Sequence, residues 1–454
     1  MITPIRKAII IISTKITVPN KEDAMKNIIK NNKALRFIAV CMSAVIALSG
    51  CGSSDSSSAA DDSSEAEKVG VMPDMTTQEL IEDISDSSSA ADDNSKVNKG
   101  GTMRDMTTQE LIEDMGLGIN LGNTFEATGS WIKNGSVSDY EKCWGSPIIT
   151  EEMIKGYKDA GFGVVRVPAN WSNLMSEDYT IAPEFDKRIH EVVDWILDND
   201  MYVILNMHHE NWIADMPTKE EETLTHYKRL WEQIAESFKD YGDKLMFESL
   251  NEEGGWDSVW NQYGSSTEGK DKAFGYLNTL NQSFVDIVRA SGGNNEKRHL
   301  LIAGYYTNVQ HTCDDLFVMP TDSQNRMAVS VHYYDPSTLT ILEADADWGK
   351  ARTDWGSEED LKGLNDTLDL MKTHFTDKGI PVIVGEYGCF GKNKEQEVKR
   401  AYMVDVCRET YIRGMLPVLW DTQDTFYDRN TLTYKDEEML KQMMEIPSLG
   451  RSKK

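Results

Sequence analysis

From Met115 onward the chain repeats one alternation, a short apolar run followed by a longer amphipathic stretch. Eight runs occur, at 116–122, 164–168, 202–207, 245–251, 299–303, 328–333, 382–386 and 415–420. They are near-continuously hydrophobic, the pattern of strands buried on both faces and therefore of a parallel sheet. Between most of them apolar residues recur at steps of three and four. Phe185, Ile189, Val192, Val193 and Ile196 form one such series, and Leu361, Leu364, Leu368, Met371 and Phe375 another. Gly161, Gly292, Gly379 and Gly414 stand where these helices should stop. Eight strand–helix units predict an α/β fold, a single (β/α)8 TIM barrel. The rival, a doubly wound open sheet, usually carries a phosphate loop. Here Gly116, Gly118 and Gly122 miss the GxGxxG spacing by one residue, and GxxxxGK[ST] does not occur.

The barrel is expected to occupy residues 103–450, preceded by two segments of other kinds. Residues 1–50 carry eight Lys and Arg against two acids, then an apolar run at 37–48. That run is too short for a bilayer span, which needs about 20 residues. A basic flank, a short apolar run and small residues together predict an export signal. The tetrad Leu48-Ser-Gly-Cys51 resembles a bacterial lipobox, with Cys51 as the lipidated residue. An ordinary signal peptide with an incidental Cys is the competing reading. Met25 begins a more typical signal than Met1, so residues 1–24 could precede the true start. Residues 51–102 are rich in Ser, Asp and Ala and predict a disordered acidic linker. This linker contains a duplication, because 74–83 returns as 105–114 with an offset of 31 residues. The second copy is expected to open the folded domain as a short helix with Leu111 and Ile112 inward. The expected protein is exported, either as a surface lipoprotein or freely secreted. It would meet membrane only through that anchor and act as a monomer.

Charge narrows the partners. With 47 Lys and Arg against 75 Asp and Glu the formal charge is −28, and no basic stripe follows the N-terminus. A phosphate backbone needs clustered cations, so nucleic acid is excluded as the main partner. No CxxC pair, HExxH or GxSxG occurs, so no metal or other cofactor is expected, and esterase chemistry is disfavoured. Whether any two of Cys143, Cys313, Cys389 and Cys407 pair is not readable.

A barrel of this kind builds its site at the C-terminal ends of its strands. Those ends are polar or aromatic here: Asn120 and Asn123, His208 and His209, Asn251 and Glu252, His332 and Tyr334, Glu386, and Trp420. Arg166 lies within the second run. Of eleven Trp, Trp195 and Trp231 fall on helix patterns, whereas the other nine follow strands. Indole rings there can stack on sugar faces, with a third or more of the nine expected under loops instead. Two carboxylates in an aromatic-lined cleft predict glycoside hydrolysis. Glu252 and Glu386 can converge above the barrel axis. Separations of about 5–5.5 Å and about 6.5–9.5 Å would mark retaining and inverting enzymes respectively.

Six segments, GINLGNTFE (118–126), GFGVVRVP (161–168), VILNMHHE (203–210), FESLNE (247–252), VSVHYYDP (329–336) and VIVGEYG (382–388), together resemble glycoside hydrolase family 5. They are most similar to its fourth subfamily, the bacterial endo-β-1,4-glucanases, and run in order across about residues 105–440. The resemblance implies retaining cleavage of a β-1,4-glucan polysaccharide. It implies Glu252 as acid/base, Glu386 as nucleophile and Asn251 as the group on the sugar 2-hydroxyl. Arg166, His208, His332 and Tyr334 would surround the reacting sugar above a Trp420 floor. Asn123, Glu126 and His209 would be neighbours. A cation beside Glu386 would keep it ionised, and a dry pocket would keep Glu252 protonated. One departure is Glu253, where the family usually has Pro. Strand alternation would turn its side chain away from Glu252. Xyloglucan, mixed-linkage glucan and mannan remain alternative substrates, and a non-catalytic glycan-binding lipoprotein remains an alternative class.

Overall fold

The computed structural model describes residues 101–451; the signal, lipobox and first copy of the duplication lie outside them. Eight parallel strands close a barrel in chain order. They are β1 (Gly118–Asn120), β2 (Val164–Val167), β3 (Tyr202–Asn206), β4 (Leu245–Glu248), β5 (Leu300–Ala303), β6 (Met327–Tyr333), β7 (Val382–Tyr387) and β8 (Leu416–Leu419). β1 pairs with β8 to complete the ring.

Side chains alternate across this wall. Val164, Ile204, Met246, Leu301, Ala328, Ile383 and Val418 form a cluster inside the barrel. Their sequence neighbours, such as Val165, Val203, Phe247 and Val329, pack in the outer cluster with the helices. Those helices are Glu151–Ala160, Pro183–Asp198, Glu220–Ser237, Lys270–Ala290, Glu358–His374, Gln396–Ile412 and Glu437–Glu445. The β5–β6 crossover departs from the expected pattern. It carries only a 3-10 turn at Tyr305–Thr307 and the one-turn helix Val309–Thr312, which is why no long apolar periodicity is readable there. At Gly161 the chain leaves its helix with φ 106°, a turn toward β2 that a side chain would resist.

The floor is the second copy of the duplication. It forms helix α1 (Thr108–Met115), whose first turn is closed by a capping box between Thr107 and Glu110. Leu111, Ile112 and Met115 are fully buried and join the interior cluster at the N-terminal ends of the strands. Arg104, just before α1, bonds the Asp243 carboxylate (2.7 Å) and the Tyr202 hydroxyl. With the floor plugged, the open end is the C-terminal one. Among the described residues all four cysteines are free thiols, and no helix is long and apolar enough to cross a membrane.

Candidate active site

The site begins one layer above the apolar interior, with a buried cation. Arg166 points inward from β2 and is fully buried. An isolated buried guanidinium would be prohibitively costly, so every side of it is matched. Its Nε donates to Glu248 (2.7 Å), Nη1 to Asn120 (3.0 Å) and to Glu386 (2.8 Å), and Nη2 to Asn251 (2.9 Å). Glu248 also accepts from Ser330 Oγ (2.7 Å). The interior face of β2, β4, β6 and β7 is thereby fixed around one charge.

Glu386 reaches this layer through a fault in strand register. Alternation from Ile383 would send Gly385 inward and Glu386 outward. Instead Val331 pairs with Val384 and the next residue, His332, pairs with Glu386. Gly385 is the extra residue of a β-bulge, and the bulge turns Glu386 into the barrel mouth. A Cβ on Gly385 would lie 3.2 Å from Ser330 Oγ and 3.4 Å from His332 Nε2, so glycine suits the crowded position.

Glu386 is then held at both oxygens, Oε1 by Arg166 and Oε2 by the Tyr334 hydroxyl (2.9 Å). Burial raises its pKa, while His332, Arg166 and the Tyr334 hydrogen bond oppose the rise. Glu252 stands opposite, on the loop after β4, and shares a 2.8 Å hydrogen bond with His332 Nδ1. Its side chain is 19% exposed, and burial pushes its pKa up to about 7, with Arg166 pulling the other way. His332 is itself held neutral, its pKa brought down to about 4 chiefly by burial. One ligand-capable atom from each of Glu252, His332 and Glu386 lies within 4.8 Å of the others. Among the described residues these three are the group whose spacing could hold a cation. Their closeness also suits two carboxyl groups facing one reacting atom.

The family model for cellulases of glycosyl hydrolase family 5 matches residues 125–425. Endoglucanase B of Clostridium cellulovorans is 33% identical over 339 residues, 72% of each chain. A xyloglucan-specific endo-β-1,4-glucanase of Bacteroides ovatus is 34% identical over 343 residues, covering 70% of this chain and 66% of that one. The structure of a subfamily 4 broad-specificity endoglucanase from an uncultured bovine rumen ciliate superposes with a TM-score of 0.68 at 37% identity. It covers 76% of this chain and 98% of its own.

The chain belongs to glycosyl hydrolase family 5.

Within this family 5 barrel the remaining residues singled out in the sequence divide. His208 projects beside Trp420, ring centroids 6.0 Å apart and nearly parallel. The Asn206 amide lies 3.2 Å from its Nδ1 and donates there, which leaves the proton on Nε2. Trp420 is only 3% exposed and closes the floor of the mouth. His209 packs edge-on against His208 and tilted against Trp144. Asn123 has φ 59° and a buried side-chain oxygen without a hydrogen-bond partner. Glu126 turns into its own loop, where its carboxylate accepts the backbone N–H groups of Asn123 and Thr124. It shapes the loop that presents Asn123.

Glu253 does not follow strand alternation, because β4 ends at Glu248 and both later acids lie in the loop. Its carboxyl folds back and accepts the Asn251 N–H (2.6 Å). Among the nine tryptophans that follow strands, Trp144, Trp171, Trp256 and Trp260 are buried and donate to backbone carbonyls. They brace loops, while Trp131 and Trp348 are exposed. Sequence reasoning passed over Glu248 and Ser330. The available signal was a carboxylate interrupting an apolar strand, which a buried Arg on a nearby strand makes necessary.

Proposed function

We propose that this family 5 glycoside hydrolase cleaves internal β-1,4-glucosidic bonds of soluble and swollen β-glucans with retention of configuration. Glu386 attacks the anomeric carbon as nucleophile while Glu252 gives its proton to the glycosidic oxygen, so the leaving sugar departs as an alcohol. The resulting glycosyl ester on Glu386 is then hydrolysed by a water whose proton returns to Glu252. The observation that carries this reading is the approach of the two carboxyl groups, with oxygens within 4.8 Å. That close approach suits the direct attack of a retaining enzyme, whose two carboxyl groups stand nearer each other than those of an inverting one. Electrostatics support the division of labour: a pKa of about 7 keeps Glu252 protonated in mild acid, whereas Arg166 and Tyr334 stabilise the charge of Glu386. Asn251 has its oxygen occupied by Arg166, which leaves its amide N–H groups to donate to the sugar 2-hydroxyl.

Substrate breadth is proposed from the relatives, one broad-specificity and one xyloglucan-specific. The test is reducing-sugar release from carboxymethylcellulose, barley β-glucan and xyloglucan, with Glu386→Gln as control, and NMR of the first anomer formed. β-Anomer release supports the mechanism, α-anomer release refutes retention, and no release from any glucan favours a binding protein. We propose further that the chain is exported and anchored through Cys51. Cys51→Ser should then move it from the membrane to the soluble fraction, and an unchanged distribution would argue for an ordinary secreted form.

A further inference from the structure

Immediately after Glu252 the β4 loop runs through Gly254 and Gly255, both at positive φ (146° and 35°). The Tyr306 ring fills the space that the missing side chain of Gly255 leaves, and the Tyr306 backbone abuts Gly254. A Cβ on Gly255 would lie 3.0 Å from Tyr306 Cε2, and one on Gly254 would lie 3.2 Å from the Tyr306 nitrogen. Tyr306 belongs to the loop after β5. It is turned across the β4 loop by two successive left-handed residues, Tyr306 itself (φ 55°) and Thr307 (φ 44°). For a β-branched residue this is a costly conformation, of the kind concentrated at functional sites. The Tyr306 N–H donates to the Glu253 carbonyl (3.1 Å), which ties the two loops together.

Its neighbour Tyr305 has an ordinary structural role. That ring is fully buried and stacks on Phe274 at 4.3 Å. Tyr306 is only half-buried, and the Tyr263 phenol, on a residue 69% exposed, is close enough to act on its own phenol. A ring seated on Gly255, with its backbone tied to the β4 loop, keeps an apolar face available at little entropic cost.

We propose that Tyr306 is the wall against which the departing sugar stacks during cleavage. This rests on the reading of Glu252 as proton donor. A proton donor must lie within hydrogen-bond reach of the glycosidic oxygen, and that oxygen leaves with the departing sugar. The surface continuing from Glu252 away from Glu386 therefore faces that sugar. The fields agree: after burial, the charge of Glu252 is the main influence raising the Tyr306 phenol, whereas for Tyr334 it is that of Glu386. Tyr306 is thus a specificity-determining residue on the leaving-group side.

The test compares kcat/KM on cellopentaose with kcat/KM on β-cellobiosyl fluoride, whose leaving group is a single atom with nothing to stack. Tyr306→Ala should lose about tenfold more on cellopentaose than on the fluoride, a difference in transition-state binding. Tyr306→Phe, which retains the ring, should recover most of that difference. Equal losses on both substrates, or no loss on either, would overturn the proposal. A wild-type protein that cleaves neither substrate would instead overturn the reading of Glu252 and Glu386.

Discussion

Glu252 carries its proton because of where the β4 loop leaves it, half out of water and bonded to a neutral histidine. With its pKa near 7, kcat/KM should fall about tenfold per pH unit above that value, as expected when an acid must be protonated to act. The alkaline limb measured on a soluble glucan checks this, and a limb beginning a full unit or more away removes Glu252 from the role. Glu252→Gln should lose about 10²–10⁴-fold. Glu253→Gln should keep most activity, because a glutamine oxygen still accepts the Asn251 N–H that Glu253 accepts now. Equal losses would reverse the assignment. Glu252, Glu386 and Arg166 were legible in the sequence because each interrupts or closes an apolar run at the same end of the barrel. The fold-back of Glu253 onto the Asn251 N–H and the loop-bracing work of Glu126 were not. Both depend on backbone that has left the strand, where alternation no longer says which way a side chain points.

At the scale of elements, two short pieces of structure do most to position the site. The first is the bulge at Gly385. Eight strands could be counted from hydrophobic runs and Glu386 placed at the end of one, but a register shift of one residue leaves no trace in composition, so the bulge that turns it inward was not legible. Gly385→Ala should lower kcat by about tenfold or more. Its Cβ would press on Ser330 Oγ and His332 Nε2, and both side chains are tied to carboxylates, Glu248 and Glu252. Wild-type turnover would show that the bulge can relax. The second piece is α1. Here the sequence was informative, because the second copy of the duplication read as a short helix opening the folded domain with Leu111 and Ile112 inward, although its place as the barrel floor was not legible. Leu111→Ala should cost about 2–5 kcal/mol, the range for emptying a fully buried leucine site. Arg104→Ala should cost about 1 kcal/mol, since Arg104 is 41% exposed although its partner Asp243 is not. Urea melts of the two variants separate these sizes. The first copy has Pro73 where the second has Arg104, so it lacks the residue that ties α1 to the barrel.

For the whole molecule, the buried titratable groups set the pH at which the fold is strongest. Glu126 and Glu252 are raised to about 7 and Glu253 to about 8, all chiefly by burial. Their folded pKa values exceed the unfolded ones, so the stability they allow is complete below about pH 4.5 and is lost as pH rises through 7 to 8. His209, His226 and His332 are lowered to about 4, again by burial. Their contribution is complete above about pH 6.5 and is lost as pH falls toward 4. The two sets oppose each other between about pH 4.5 and 6.5. Above that window only the carboxyl groups act, and below it the histidines do. Thermal unfolding followed by circular dichroism should therefore give a maximum Tm between about pH 4.5 and 6.5, with a decline toward pH 9. Glu253→Gln removes the group with the highest of these carboxyl values, so it should flatten the alkaline decline. The gain over wild type should be on the order of 1–3 kcal/mol at pH 9 and near zero at pH 5. The same gain at both pH values would mean that packing, and not ionisation of Glu253, sets the difference. A wild-type Tm still rising at pH 9 would mean that the buried carboxyl groups do not govern the alkaline side of the fold.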